Sequence, residues 1–245
     1  MEPYLLFTLI ALVALLAGYT QSVTGFGFGI VAMIFLPRLL LYTEANVTSS
    51  ILSTLTSLVS LILTFRSVNW KNLIFPVAGC FFTNYLAITF IKSSANDTLM
   101  LLLGIALFAL SVYFFFFSDK IKIKAAWYTG LCAGVISGFM SGMFSIGGPP
   151  VVIYYMQSER DSERYLATIS AYFVLSGIIS ISMKFASGFV TATVWIALAL
   201  GLCGMLLGAL FGNLTRSKIK PAAMKKAVYG VMAVSGLVNV VTSLL

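Results

Sequence analysis

The strongest constraint on this chain is how far apart its charges lie. Residues 4–37, 45–65, 98–118, 126–157 and 185–215 each pass without an Asp, Glu, Lys or Arg. A helix that crosses a bilayer needs about 20 mostly apolar residues, and stretches of that length recur from end to end, leaving no room for a folded water-soluble domain. Composition agrees. With 60% hydrophobic and 9% charged residues and a mean hydropathy of +1.03, there is too little polar surface to coat a soluble globule.

The net charge of +8 would suggest nucleic acid in a soluble protein. Here the basic residues stand in short loops between apolar stretches, where they report orientation instead, so no nucleic-acid partner is expected. Residues 4–17 resemble a signal peptide in length. They follow Glu2 rather than a basic region and lead into Gly18-Tyr19-Thr20-Gln21 without a small-x-small cleavage site, so they are read as a retained membrane element. Cys80, Cys132 and Cys203 lie inside apolar stretches, where cysteine acts as a small hydrophobe. Neither a disulfide framework, a metal site nor a cofactor is expected.

Six segments read as ordinary spanning helices: 45–65, 70–91, 98–117, 163–185, 190–211 and 222–245. Charges mark their ends, with Glu44 and Asp97 at N-termini and Arg66, Lys92 and Lys184 at C-termini, as the helix dipole favours. Two further segments, 4–41 and 126–157, are too long for one crossing and are interrupted by glycines and small polar residues, at 18–29 and 138–150. They are expected to be broken or re-entrant hairpins. Shifting the chain by 120 positions places Gly18 on Gly138, Gly27 on Gly147, Thr48 on Thr168, Ser50 on Ser170 and Ser60 on Ser180. The expected fold is therefore an all-α polytopic membrane protein made of two repeats, 1–118 and 125–245, each a broken hairpin plus three spanning helices.

Charge counting bears on how the repeats are related. If each broken segment returns to the side it came from, one side collects twelve Lys and Arg and the other only Arg38, Lys92 and Lys184; if each crosses once, the split is nine to six. The positive-inside rule favours the first arrangement. It inverts the halves and puts both termini outside the cytoplasm.

Non-helical backbone survives at membrane depth only within protein or around a water-filled cavity. The breaks are therefore expected at the centre, where discontinuous helices form substrate sites in many secondary transporters. With no histidine among the residues and none of the seven carboxylates in mid-span, proton relays and cation sites of the usual kind are disfavoured. What remains are glycine amides, helix N-termini and neutral donors, and helix N-termini bind small anions. The candidate site comprises Gln21, Ser22, Thr24, Gly25, Gly27 and Gly29 from the first break. Ser141, Ser145, Gly147 and Gly148 join from the second, with Asn46, Thr48, Ser50 and Thr168 on the helices that follow. Arg38 and Glu44 are read as loop charges, with a gating pair as the alternative. The glycines at 204, 208 and 212 are assigned to helix packing. The ligand is expected to be a small anion held by amides and hydroxyls rather than by a buried arginine. An intramembrane enzyme is disfavoured, because no nucleophile and base pair or paired carboxylates fall in the spans.

The glycine-rich breaks Gly25-Phe26-Gly27-Phe28-Gly29 and Ser145-Ile146-Gly147-Gly148-Pro149, each followed by a helix carrying Thr48 or Ala167-Thr168, resemble those of the TauE/SafE, or sulfite exporter, family of membrane permeases. The resemblance covers nearly the whole length. It implies transport of small sulfur-containing anions such as sulfite, sulfonates or sulfoacetate, in either direction, across a bacterial inner (plasma) membrane. An uncoupled anion channel or uniporter and a carboxylate transporter are the alternatives. A proton or sodium coupling ion and a homo-oligomer are compatible with this reading. Phe26 and Phe28 between the first glycines, and prolines at 149 and 150 where a third glycine is common, depart from the family pattern.

Overall fold

The computed structural model describes residues 3–117, 124–159, 161–215 and 221–244. Lys120, Lys122, Arg160, Arg216, Lys218 and Lys220, which carry half of the larger charge count, lie outside the described residues. All regular structure described is helical: α1 (Pro3–Thr24), α2 (Phe28–Phe35), α3 (Tyr42–Thr64), α4 (Ile74–Ser93), α5 (Asn96–Phe117), α6 (Trp127–Phe144), α7 (Gly148–Ser158), α8 (Ser162–Ala186), α9 (Ala192–Thr215) and α10 (Pro221–Leu244). Six of the elements, including α1, are long and apolar enough to cross a membrane. Large apolar side chains such as Leu16, Phe82, Leu86, Trp195 and Leu214 are exposed around the outside, the surface lipid requires. The chain is a polytopic membrane protein.

The broken segments are shorter in their breaks than the sequence suggests. Residues 18–24 and 138–144 continue α1 and α6, and the non-helical backbone is confined to residues 25–27 and 145–147. The reason is packing. A Cβ on Gly18 would meet the Met205 carbonyl oxygen at 2.7 Å, and one on Gly138 the Cys80 carbonyl oxygen at 2.5 Å, so these glycines let helices touch. Of the polar residues among them, Thr20 donates to the Leu16 carbonyl of its own helix at 2.8 Å, while Gln21 Nε2 donates across to Ser57 Oγ of α3 at 2.9 Å.

Contacts across the glycines fix the directions of the helices. Gly204, Gly208 and Gly212 of α9 face Ala11, Leu15 and Tyr19 of α1 in the same order, so α1 and α9 run parallel; the packing role expected of these glycines holds. Gly134, Gly138 and Gly142 of α6 face Pro76, Cys80 and Asn84 to Ala87 of α4, so α6 and α4 also run parallel. At the centre α3 lies antiparallel to α8, with Thr54 against Gly177 and Ser67 bonded to Glu163 at 2.6 Å. That second contact marks one end of the bundle, where Arg66 and Arg164 gather; it is called the basic end below. At the far end, Thr191, just before α9, donates to Glu44 in the first turn of α3 at 2.7 Å.

The paths of the hairpins follow. α1 descends with α9 from the far end, breaks, and α2 climbs back to the start of α3. α6 ascends with α4 from the basic end and breaks near the start of α3, where Tyr42 Oη (2.5 Å) and Asn46 Nδ2 (2.7 Å) donate to the Met143 carbonyl. Then α7 returns to the basic end, where Glu159 accepts from Asn72 at 2.6 Å and Asn69 at 3.3 Å.

Candidate functional site

Each break is written into the residues that form it. In the first, Gly25 has φ +82° and Gly27 φ +105°, a backbone region in which a Cβ is strained; Thr24 Oγ1 reaches the Thr20 carbonyl at 2.8 Å and the Phe26 carbonyl at 2.5 Å. Gly27 then caps α2. In the second, Ser145 takes the left-handed conformation (φ +56°), and the amides of Ser145 and Ile146 close on the carbonyls of Ser141 (2.9 Å) and Met140 (3.3 Å). This is an αL-type helix ending with serine where glycine is usual. Gly147 caps α7, and prolines at 149 and 150 occupy its first turn, where a missing N–H does little harm.

The breaks lie against each other. A Cβ on Gly29 would stand 1.9 Å from the Ser145 carbonyl oxygen, and one on Gly148 would touch the Phe26 ring at 3.5 Å. Gly29 is glycine because α2 begins on top of the second break.

Between them is a cavity of about 50 Å³, room for about four waters at ~10–15 Å³ each. Gly27 and Gly147, the caps of α2 and α7, both line it. The helices around it contribute hydroxyls and one amide: Gln21 from α1, Ser50, Ser53 and Thr54 from mid-α3, Ser141 from α6, Ser176 and Ser180 from mid-α8. Phe26 and Phe173 supply apolar wall. Gln21 also lines a second, larger cavity of about 300 Å³ that extends along α3, α8 and α9 to Thr64 and Asn213 near the basic end. Ser50 and Ser145 line the small cavity, and Lys184 stands behind them.

Lys184 is 0% exposed. Its Nζ donates to Ser50 Oγ at 2.6 Å and to Ser145 Oγ at 3.4 Å. Ser50 and Ser145 are 2.7 Å apart, and Ser145 also donates to the Asn46 carbonyl at 2.9 Å.

The family's sequence profile, described as sulfite exporter TauE/SafE, matches residues 10–238. The chain belongs to the sulfite exporter TauE/SafE family. It is a membrane transporter and not an enzyme. Among its relatives is a probable sulfite/organosulfonate exporter TauE of Cupriavidus necator, 26% identical over 240 residues, spanning 95% of this chain and 93% of the relative. No solved structure matches the chain.

The residues picked out from the sequence of this TauE/SafE chain divide into several groups. Gln21, Gly27, Ser50, Ser141, Ser145 and Gly147 line the small cavity. Ser22 and Gly25 line the larger one. Gly29 and Gly148 sit where the breaks touch. The others face elsewhere: Thr24 bonds backbone, Asn46 ties α3 to α6, and Thr168 accepts from the Asn69 amide at 3.0 Å. Thr48 is fully buried, with no partner for its hydroxyl among the described residues. Arg38 and Glu44 do not meet, since Arg38 donates to Ser235 and Asn239 of α10 at 3.2 and 3.3 Å while Glu44 holds Thr191.

Sequence reasoning missed Lys184, and left Ser53, Thr54, Ser176 and Ser180 out of the site. A signal for the α8 residues was available. Ser176, Ser180 and Lys184 are spaced four apart and so share one helix face; a lysine in line with two serines of a membrane helix points at what those serines line.

Proposed function

We propose that this chain is a secondary transporter for a small anion, a sulfur-containing oxyanion or organosulfonate, bound near the midplane between the two helix breaks. One observation carries the reading: α2 and α7 begin side by side, and the caps of both line one small cavity whose other walls hold hydroxyls and an amide but no carboxylate. The first amides of a helix have no partner within it, and the helix dipole adds a partial positive charge there. Two such ends favour an anion stripped of water. The likeness to the Cupriavidus necator relative, named a probable sulfite/organosulfonate exporter, supports sulfur chemistry over other anions.

The halves, 1–118 and 125–245, are read as inverted repeats working by alternating access in the plasma membrane. Support comes from the exchanged pairing of α1 with α9 and α6 with α4, and from hairpins that start and finish at opposite ends. Both termini then lie outside the cytoplasm, and a reporter fused after Leu245 should read as external; a cytoplasmic signal overturns the arrangement. The larger cavity leads toward the basic end, which is the cytoplasmic end in this arrangement.

The functional test is uptake into liposomes with sulfite, thiosulfate, sulfonates and short carboxylates. Movement of sulfur anions is expected, and movement of cations or neutral solutes alone sinks the reading. An uncoupled uniporter is the second reading, favoured by the lack of any carboxylate or histidine on the wall of the small cavity. Flux unchanged by imposed pH and sodium gradients would establish it.

A further inference from the structure

We propose that Lys184 supplies the positive charge of the anion site, acting through the hydroxyls of Ser50 and Ser145; the inference rests on the anion reading above and names the group that charges it. A lysine near the end of a membrane helix ordinarily extends to the interface, where water keeps its charge solvated. Lys184 lies in the last turn of α8 and is instead wholly buried, with its ammonium directed inward onto two serines that line the small cavity.

No carboxylate lies within ion-pair distance of it among the described residues. Two neutral hydroxyls do not repay the loss of hydration of a buried ammonium, and an ionisable group kept in the membrane at such cost marks a substrate path. A second observation points to a missing ligand. Ser180, one turn before Lys184 on the same face of α8, lines the same cavity, is 1% exposed, and its hydroxyl has no partner among the described residues.

The bonding pattern shows how the charge would reach an anion. Ser50 Oγ accepts from Nζ, so its own hydrogen is free for Ser145 or for a ligand, and an O–H whose oxygen accepts from a cation is a stronger donor. An anion in the cavity would accept from Ser50 and Ser180 with the ammonium directly behind them. At a separation of roughly 6 Å and an effective dielectric near 20, the attraction corresponds to about a hundredfold in affinity.

The experiment compares wild type, Lys184→Met, Lys184→Arg and Ser180→Ala as purified full-length chains, by thermal melting with and without sulfite and by liposome uptake of sulfite, methanesulfonate and glycerol. Lys184→Met removes a buried unpaired charge, so it should melt higher than wild type without ligand, gain nothing from sulfite, and take up both anions about a hundredfold more slowly. Lys184→Arg should keep a measurable sulfite-induced shift, and Ser180→Ala should weaken that shift several-fold at unchanged ligand-free melting. A Lys184→Met chain that melts below wild type, or that moves sulfite at the wild-type rate, overturns the assignment while leaving the anion reading standing. Wild type that moves glycerol but neither anion overturns both.

Discussion

The two breaks have the same plan and different chemistry. Position by position at a spacing of 120, Gly25 corresponds to Ser145 and Thr64 to Lys184. The first break is held by glycines in left-handed conformations and one threonine folded onto its own backbone. In the second, a serine takes the left-handed conformation at a cost of about 1–2 kcal/mol, and its hydroxyl joins α3, the break and Lys184 of α8. Thr64 only returns to its own helix, donating to the Ser60 carbonyl at 2.9 Å. A shared backbone plan thus supplies two helix ends, while the side chains that add charge and hydroxyl donors concentrate at one of them. The strained residue is kept where its side chain has work that glycine could not perform.

Exchanging residues between the halves tests this contrast. The largest effect is expected at the contact the breaks share. Gly29→Ala puts a methyl group on the Ser145 carbonyl; because the obstacle is backbone, no rotamer relieves it, and the cost should reach about 3 kcal/mol with uptake abolished. Gly148→Ala meets only ordinary contact with Phe26 and should stay within about twofold of wild-type uptake, so equal damage from the two would refute the asymmetry.

Next comes Glu159→Leu, which gives the second hairpin the residue that the first carries at Leu39. It strips the amides of Asn69 and Asn72 of their acceptor, and the melting temperature should fall by the equivalent of about 2 kcal/mol. An unchanged melt would mean that this end is not held by those bonds. Ser145→Gly, the first-half residue placed in the second break, relieves the left-handed strain and removes the hydroxyl. Stability should hold or rise by up to ~1 kcal/mol while sulfite uptake drops about tenfold; uptake at the wild-type level would show that the hydroxyl is dispensable. The smallest effect is expected from Thr64→Lys, which adds a cation beside the larger cavity. Uptake should rise two- to threefold at low ionic strength and return to the wild-type rate in about 1 M salt, where screening is strong.

Much of the architecture is legible in the residues. Uncharged runs of spanning length place the chain in lipid because polar backbone must be satisfied internally there, and Gly25-Phe26-Gly27 and Ser145-Ile146-Gly147 announce where helices stop. The extent of the breaks is not legible. Gly18 and Gly138 look like part of the interruption but lie in continuous helix, because a glycine that lets a neighbouring helix approach and a glycine that ends a helix are the same letter. The serine face of α3 is visible at four-residue spacing, and Ser50 falls on the cavity. Thr48 and Thr168, matched just as well by the 120-residue shift, do not line it.

The residues by themselves determined an all-helical membrane protein with two interrupted segments, since hydrophobic length and local backbone preference are properties of short stretches of chain. Only the tertiary structure decided that the interruptions lie against each other around a small hydroxyl-lined cavity, and that Lys184 turns toward it. A flexible lysine in the last turn of a membrane helix can extend outward to water or fold inward. Which of these it does depends on Ser50 and Ser145, which lie 134 and 39 residues away along the chain and come within its reach only when α3, α8 and the second break pack together.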